Sequence, residues 1–278
     1  MPPQHVCKLK KALYSLKQAP RAWVQRFSSF ILKLGFTCSH DDTSLFVLHR
    51  QQQIIYLLLY VDDIILTSYN NSLLNSFIQQ LHSKFTTKDL GSLSYFLGLE
   101  ATSTSTRLFL SQTKYARKIL TRAQLLDCKP VSTLMVVTQH LSSVGSSFAD
   151  ITLYRSLVGA LQYLTITHPD LAHSVNSLSQ YLHAPTNDYF QAVKRILQYV
   201  KGTLHFGLSF TASSPATITA YFDADWAGCP DTRHSTSGYS IYLGDNLVSW
   251  SAKKQPTVSC SSCESKYHAL ASTATEVL

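Results

Sequence analysis

The chain holds no apolar run near the roughly 20 residues that a membrane-spanning helix needs. Ile54 to Val61, one of its greasiest stretches, is eight residues long. The opening Met-Pro-Pro-Gln lacks the apolar core of a secretory leader, so an intracellular setting is expected, with cytoplasm, nucleus and organelle all open. Cysteine does not form a framework either. Six of them (Cys7, Cys38, Cys128, Cys229, Cys260 and Cys263) are scattered through 278 residues, a length that needs no disulfide staples and fits reduced thiols. Cys260-Ser-Ser-Cys263 has no second pair at zinc spacing and reads as a chance CxxC in a small-residue segment. A hydrophobic share of 45% excludes a disordered tail, and the length allows two or three compact units.

Acid is scarce and base is not: 16 Asp and Glu stand against 24 Lys and Arg, a formal charge of +8. The excess is uneven. Residues 1–50 carry eight cations and two acids, whereas residues 216–278 carry four and six. Basic flanks beside acidic centres suit a polyanion held by its phosphates, although a basic protein can also be simply well solvated.

The stretch Ile54-Ile55-Tyr56-Leu57-Leu58-Leu59-Tyr60-Val61-Asp62-Asp63-Ile64-Ile65-Leu66 sets two carboxylates between apolar, β-branched and aromatic runs. That pattern predicts a buried strand and a hairpin with Asp62 and Asp63 at its tip. Adjacent carboxylates about 4 Å apart repel by on the order of 4 kcal/mol at an effective dielectric near 20. A hard, oxygen-preferring Mg²⁺ would relieve the repulsion, and a plain polar turn would tolerate it. Asp41-Asp42, among turn formers ahead of the strand Leu45-Phe46-Val47-Leu48, reads as a solvated turn.

Elsewhere, helical spacing joins Trp23, Phe27, Phe30, Ile31 and Leu34, with Gly35 as terminator. Lys8, Lys10, Lys11, Lys17 and Arg21 precede or open that helix, where cations and free amides can meet phosphates. Leu73 to Phe85 predicts an amphipathic helix capped by Asn70 or Asn71, and residues 95–110 predict a second hairpin. Ser111 is the expected cap of a basic helix carrying Lys114, Arg117 and Lys118, and residues 129–150 read as a linker. Helical spacing resumes from Tyr154 to Leu182, broken at His168-Pro169-Asp170, and again from Tyr189 to Lys201. Strands are expected at 217–222, 238–243 and 247–251, then a helix from about Cys263.

Several of these segments carry a resemblance. Tyr60-Val61-Asp62-Asp63 resembles the YVDD hairpin of reverse transcriptases, and Lys8-Leu9-Lys10-Lys11-Ala12-Leu13-Tyr14-Ser15-Leu16-Lys17-Gln18-Ala19-Pro20-Arg21-Ala22-Trp23 is similar to the signature of copia-type LTR-retrotransposon Pol polyproteins. Tyr154 to Leu164, Pro169-Asp170 and Lys201-Gly202-Thr203 match the same pattern, while Ser15, Leu134, His168 and Tyr189 depart from it. The segments around Asp223, Arg233 to Tyr239 and Ser249 to Val258 resemble the RNase H domain of that polyprotein.

The resemblance implies an α+β fold: a partial reverse-transcriptase palm with helical thumb and connection, followed by a truncated RNase H-like α/β unit. The expected division is palm and primer-grip-like hairpin at 1–110, start of the thumb at 111–128, linker at 129–150, thumb or connection at 151–213 and RNase H-like unit at 216–278. It implies Mg²⁺ at Asp62 and Asp63 and at Asp223, a template–primer or hybrid duplex of RNA and DNA as partner, and no membrane. Gln18 and Arg21 inherit a place beside templating base and incoming nucleotide, and Lys88 a contact to nucleotide phosphates. A reverse transcriptase also uses an upstream strand Asp, which does not occur in the seven residues before the signature. In the RNase H pattern Lys266 falls on a metal-binding Glu, Glu264 lies about 200° round the helix from it, and the distal Asp does not appear before Leu278. The expectation is therefore a polymerase and RNase H fragment that is catalytically incomplete by itself. The alternatives are a nucleic-acid-binding remnant, an active enzyme if a longer product supplies the missing acid, and a chain left unstable by exposed sheet edges.

Overall fold

A computed structural model describes residues 16–50, 52–136, 141, 144–212 and 217–278. Helix and sheet are mixed throughout, and the chain divides into two compact units, Met1–Leu93 and Ser94–Leu278. Lys8, Lys10 and Lys11 lie outside the described residues.

In the first unit, helix α1 (Ala19–Lys33) starts with Pro20 in its opening turn, where the missing N–H costs nothing, and ends ahead of Gly35 at φ 95°. Four antiparallel strands follow in the order β1 (Thr37–Cys38), β2 (Leu45–Arg50), β3 (Gln53–Tyr60) and β4 (Asp63–Ser68). Helix α2 (Asn71–Lys84) closes the unit, with the Asn70 side chain accepting from the amides of Ser72 and Leu73. One face of the sheet is covered. Ile55, Leu57 and Leu59 of β3 and Phe46 and Leu48 of β2 are buried against Phe27 and Ile31 of α1 and Phe77 and Leu81 of α2. Each such side chain contributes on the order of 1.5–3 kcal/mol of burial before entropy is counted. The other residues of β3 do not share that fate. Tyr56 and Tyr60 are 41% and 52% exposed, so the strand expected to be buried is buried on one side only, because both helices pack on the same face.

The second unit begins with a four-stranded antiparallel sheet, β5 (Tyr95–Phe96), β6 (Leu99–Ser103), β7 (Arg107–Ser111) and β8 (Leu208–Thr211). Strand β8 arrives about 100 residues after β7 in sequence and pairs with it from Arg107↔Thr211 to Leu110↔Leu208. Between them lie α3 (Thr113–Arg122), α4 (Ile151–Leu164), a 3₁₀ turn (Pro169–Leu171), α5 (Ala172–Ser179) and α6 (Asn187–Gly202). Their apolar stripes meet in one core containing Leu120, Tyr154, Leu157, Leu161, Leu164, Leu178, Tyr189, Ile196 and Val200. Ser111 is not the cap of α3. The helix starts at Thr113 with Gln112 ahead of it, and the Glu100 carboxylate of β6 accepts from the Lys114 amide at 2.7 Å, so the negative charge that suits a helix start comes from a neighbouring strand. The stretch before α4 has no regular element in its described part, yet it is fastened: Ser147 bridges to Thr186, Phe148 stacks on Phe190 with centroids 4.0 Å apart, and Asp150 caps α4.

The chain ends in a three-stranded antiparallel sheet ordered β11 (Asn246–Lys254), β10 (Thr236–Leu243), β9 (Ile218–Ala224), with α7 (Ser262–Val277) packed on β9 and β10. The buried Gln255 carboxamide binds Ser237, Ser259 and the carbonyl of Ser265, locking the sheet to the start of α7.

Among the buried polar groups, His168 is 1% exposed, between the Thr167 hydroxyl and the Thr203 carbonyl. Burial lowers its pKa, and the Thr203 carbonyl and Asp170 offset this only in part. The folded state therefore binds this proton less tightly than the unfolded chain, and stability present above about pH 6.5 is lost as pH falls below it. The unfolding temperature is expected to drop between pH 7 and pH 5, and His168→Gln to remove part of that slope in thermal melts followed by circular dichroism.

Candidate functional site

Strands β3 and β4 pair from Ile55↔Ser68 to Tyr60↔Asp63, which leaves Val61 and Asp62 as a two-residue turn and Asp63 as the first residue of β4. Leu59 faces the core with Ile64, so Tyr60 and Asp63 share the opposite, open face. Both carboxylates are exposed. Tight hairpins need a left-handed residue, and here a β-branched side chain takes it: Val61 has φ 53°. A non-glycine residue there stores on the order of 1–3 kcal/mol of strain.

The strained turn is held from α1. The Trp23 indole N–H donates to the Val61 carbonyl at 2.5 Å, while its ring packs on Phe27 and edge-on against Phe85, centroids 5.4 and 5.3 Å away. Trp23 thus ties the helix of the basic segment to the acidic tip. Along the helix axis Arg21 lies about 3 Å and Gln18 about 7.5 Å before Trp23. Lys17, Gln18 and Arg21 are exposed. Lys88 is exposed in the irregular stretch after α2, and among the described residues no hydrogen bond or ion pair brings it to the hairpin. Asp41-Asp42 is a turn: the Asp42 carboxylate accepts from the amide and hydroxyl of Ser44, which lowers its pKa.

In the second unit β5 turns into β6 through Leu97 and Gly98, φ 48° and 81°, and the Tyr163 hydroxyl donates to the Leu97 carbonyl. Asp223 stands on β9 opposite Gly238 of β10, and its carboxylate is 3.7 Å from the Lys266 ammonium of α7. Glu264 faces elsewhere. It accepts from the Cys260 amide at 2.7 Å and lies 3.8 Å from His268, beside the Ser261 hydroxyl that caps α7. Among the described residues no three His, Cys, Asp or Glu side chains converge as a metal cluster.

Two features were not read from sequence. One is the Trp23 bond to Val61, for which only the helical register of Trp23 gave a hint. The other is Cys229, which looked like one scattered thiol among several. Burial would raise it, but the Thr232 hydroxyl at 3.1 Å, the backbone amides of Thr232 and Asp231 and the Lys254 ammonium at 3.4 Å together bring it down to about 7. Cys260 and Cys263 are exposed free thiols.

Residues 2–137 match the family model described as reverse transcriptase (RNA-dependent DNA polymerase). The chain is 46% identical over 276 residues to the retrovirus-related Pol polyprotein from transposon RE1 of Arabidopsis thaliana, covering 99% of this chain and 19% of that polyprotein. It is 52% identical over 223 residues to an uncharacterized mitochondrial protein of the same plant, covering 80% of this chain and 93% of the other. It is 30% identical over 280 residues to a putative transposon Ty5-1 protein of Saccharomyces cerevisiae, covering 99% and 91%. No solved structure matches it significantly. The chain spans about one fifth of the RE1 polyprotein.

Val61→Gly is expected to leave the unfolding free energy unchanged or raise it by up to about 1 kcal/mol, whereas Leu57→Ala on the covered face costs about 2–5 kcal/mol; urea denaturation distinguishes them. Alkylation of Cys229 by iodoacetamide, followed by mass spectrometry, is expected to reach half its maximal rate near pH 7, and Lys254→Met to move that midpoint upward.

Proposed function

Since the chain belongs to the reverse transcriptase family of copia-type retrotransposon Pol polyproteins, we propose that it is a palm-and-thumb fragment of that polymerase joined to an RNase H-like unit. It engages a template–primer or an RNA–DNA hybrid. The observation that carries this reading is the exposed Asp62–Asp63 pair on a strained turn, anchored by the helix that Lys17 and Gln18 precede and whose first turn holds Arg21. Cations at a helix start meet phosphates, and the adjoining acids face the reacting end of the strand.

The donor chemistry at the hairpin fits the implied Mg²⁺. Asp62 and Asp63 are two hard oxygen donors, exposed and in no ion pair among the described residues. They would hold the ion, which there supplies charge stabilisation for phosphoryl transfer. Trp23 fixes the backbone from which both acids project, and Tyr60, on the face of Asp63, offers a ring against which a base or sugar packs. Gln18 and Arg21 orient the nucleotide, and Lys88 meets its phosphates. A polymerase centre of this family uses a third carboxylate, and among the described residues no further His, Cys, Asp or Glu joins Asp62 and Asp63 as a cluster. On this reading the chain by itself binds without extending. The basic helix α3, with Lys114, Arg117, Lys118 and Arg122, adds backbone contacts from the thumb, and the 95–111 hairpin grips the primer.

Fluorescence anisotropy with a labelled primer–template tests binding. Three or so neutralised phosphates predict a loss of roughly 30- to 100-fold in affinity between 50 and 200 mM salt, with little dependence on sequence; a flat salt response argues against the reading. Primer extension on an RNA template with Mg²⁺ is expected to give no product from this chain, and incorporation abolished by Asp62→Asn would show that the chain completes its own site.

A further inference from the structure

The resemblance implies a divalent cation at Asp223, but the structure gives that carboxylate another partner. The Lys266 ammonium stands 3.7 Å from the Asp223 carboxylate, on α7, the helix packed against β9. Mg²⁺ and Mn²⁺ need lone-pair donors at close range, oxygen above all, and an ammonium has no lone pair to give. It also repels them. With both side chains well exposed, the dielectric is close to that of water, and one positive charge about 4 Å from a divalent ion weakens its binding by roughly thirtyfold.

Everything else about the place suits a cation. A groove of about 440 Å³ opens beside Asp223 and is also lined by Asp225, Tyr221, Tyr239 and His173. Gly238, opposite Asp223 in the ladder, puts no side chain beside it. Asp225 accepts from the Thr236 amide through one oxygen at 2.7 Å, so its orientation is fixed by the start of β10. Glu264 is drawn off to the Cys260 amide and His268 and does not compete for Lys266.

We infer that Lys266 is the resident cation of Asp223: it takes the place of a divalent ion beside that carboxylate, excludes metal from it, and its exchange for a carboxylate admits metal there. The inference rests on the RNase H-like reading of the C-terminal sheet and goes further, assigning the loss of metal to one side chain. Glu at 266 would set a second carboxylate within reach of Asp223 and convert the repulsion into attraction.

Mn²⁺ binding to the full chain, measured by electron paramagnetic resonance of the free ion, tests it. Asp62→Asn and Asp63→Asn are present in every protein, so that the hairpin does not report. With Lys266 in place, Asp223→Asn is expected to leave Mn²⁺ binding unchanged. Lys266→Glu is expected to add one site at least thirtyfold tighter than any background binding, removed again by Asp223→Asn. Lys266→Gln, which retains a neutral side chain of similar length, is expected to gain at least tenfold and carries the test if the Glu variant does not fold. A site already present with Lys266 and lost in Asp223→Asn overturns the inference and leaves the RNase H-like reading standing. No gain in Lys266→Gln or in a folded Lys266→Glu overturns both.

Discussion

The hydrogen bond from the Trp23 indole to the Val61 carbonyl connects helix α1 to the acidic hairpin tip of the first unit. Val61 sits in a backbone conformation that a β-branched residue avoids, and such a conformation persists only where surrounding structure insists on it. The insistence comes from two sides. The ladder of β3 and β4 fixes the register to a two-residue turn, and Trp23, wedged between Phe27 and Phe85, supplies the donor that holds the carbonyl. The acids at the tip are therefore presented by a rigid ribbon and not by a loose loop.

The covered face of the sheet gives that ribbon its direction. With α1 and α2 both on one side, Leu59 and Ile64 are drawn inward and Tyr60 and Asp63 are left on the open face. A shift of one residue in register would reverse this and bury a carboxylate, at a cost in desolvation far above what the turn strain represents. Hydrophobic burial thus selects the side on which the acids stand, although it touches neither of them.

The second unit satisfies three of its helix starts in different ways. At α3 a strand carboxylate, Glu100, meets the first turn; at α4 the chain's own Asp150 does; at α7 Ser261 caps while Glu264 turns back to the Cys260 amide. Glu264 is thus committed to its own helix terminus, while Lys266, about 200° round the helix from it, is the α7 side chain that meets Asp223.

Periodicity in the sequence was enough to find the helices α1, α2, α4 and α6 and the C-terminal strands, since each is specified by a local apolar stripe or alternation packed on a single face. It also placed Asp62 and Asp63 at a hairpin tip, because two greasy runs around two acids leave few other options. It failed where a partner distant in sequence made the decision. Ser111 looked like the cap of α3, but Glu100 of a paired strand filled that role; Tyr56 and Tyr60 looked buried until both helices proved to cover the same face; β8 was expected as helix-region chain and joined β7 across about 100 residues. What the sequence by itself determined is the family, the alternation of elements and the identity of the acids, all of which reside in local order. What only tertiary structure decided is that Trp23 holds the turn, that Cys229 meets Lys254, and that Lys266 reaches Asp223. A chain's order does not disclose which side chains folding brings within a few ångströms of one another, and electrostatic and hydrogen-bond energies depend on that separation.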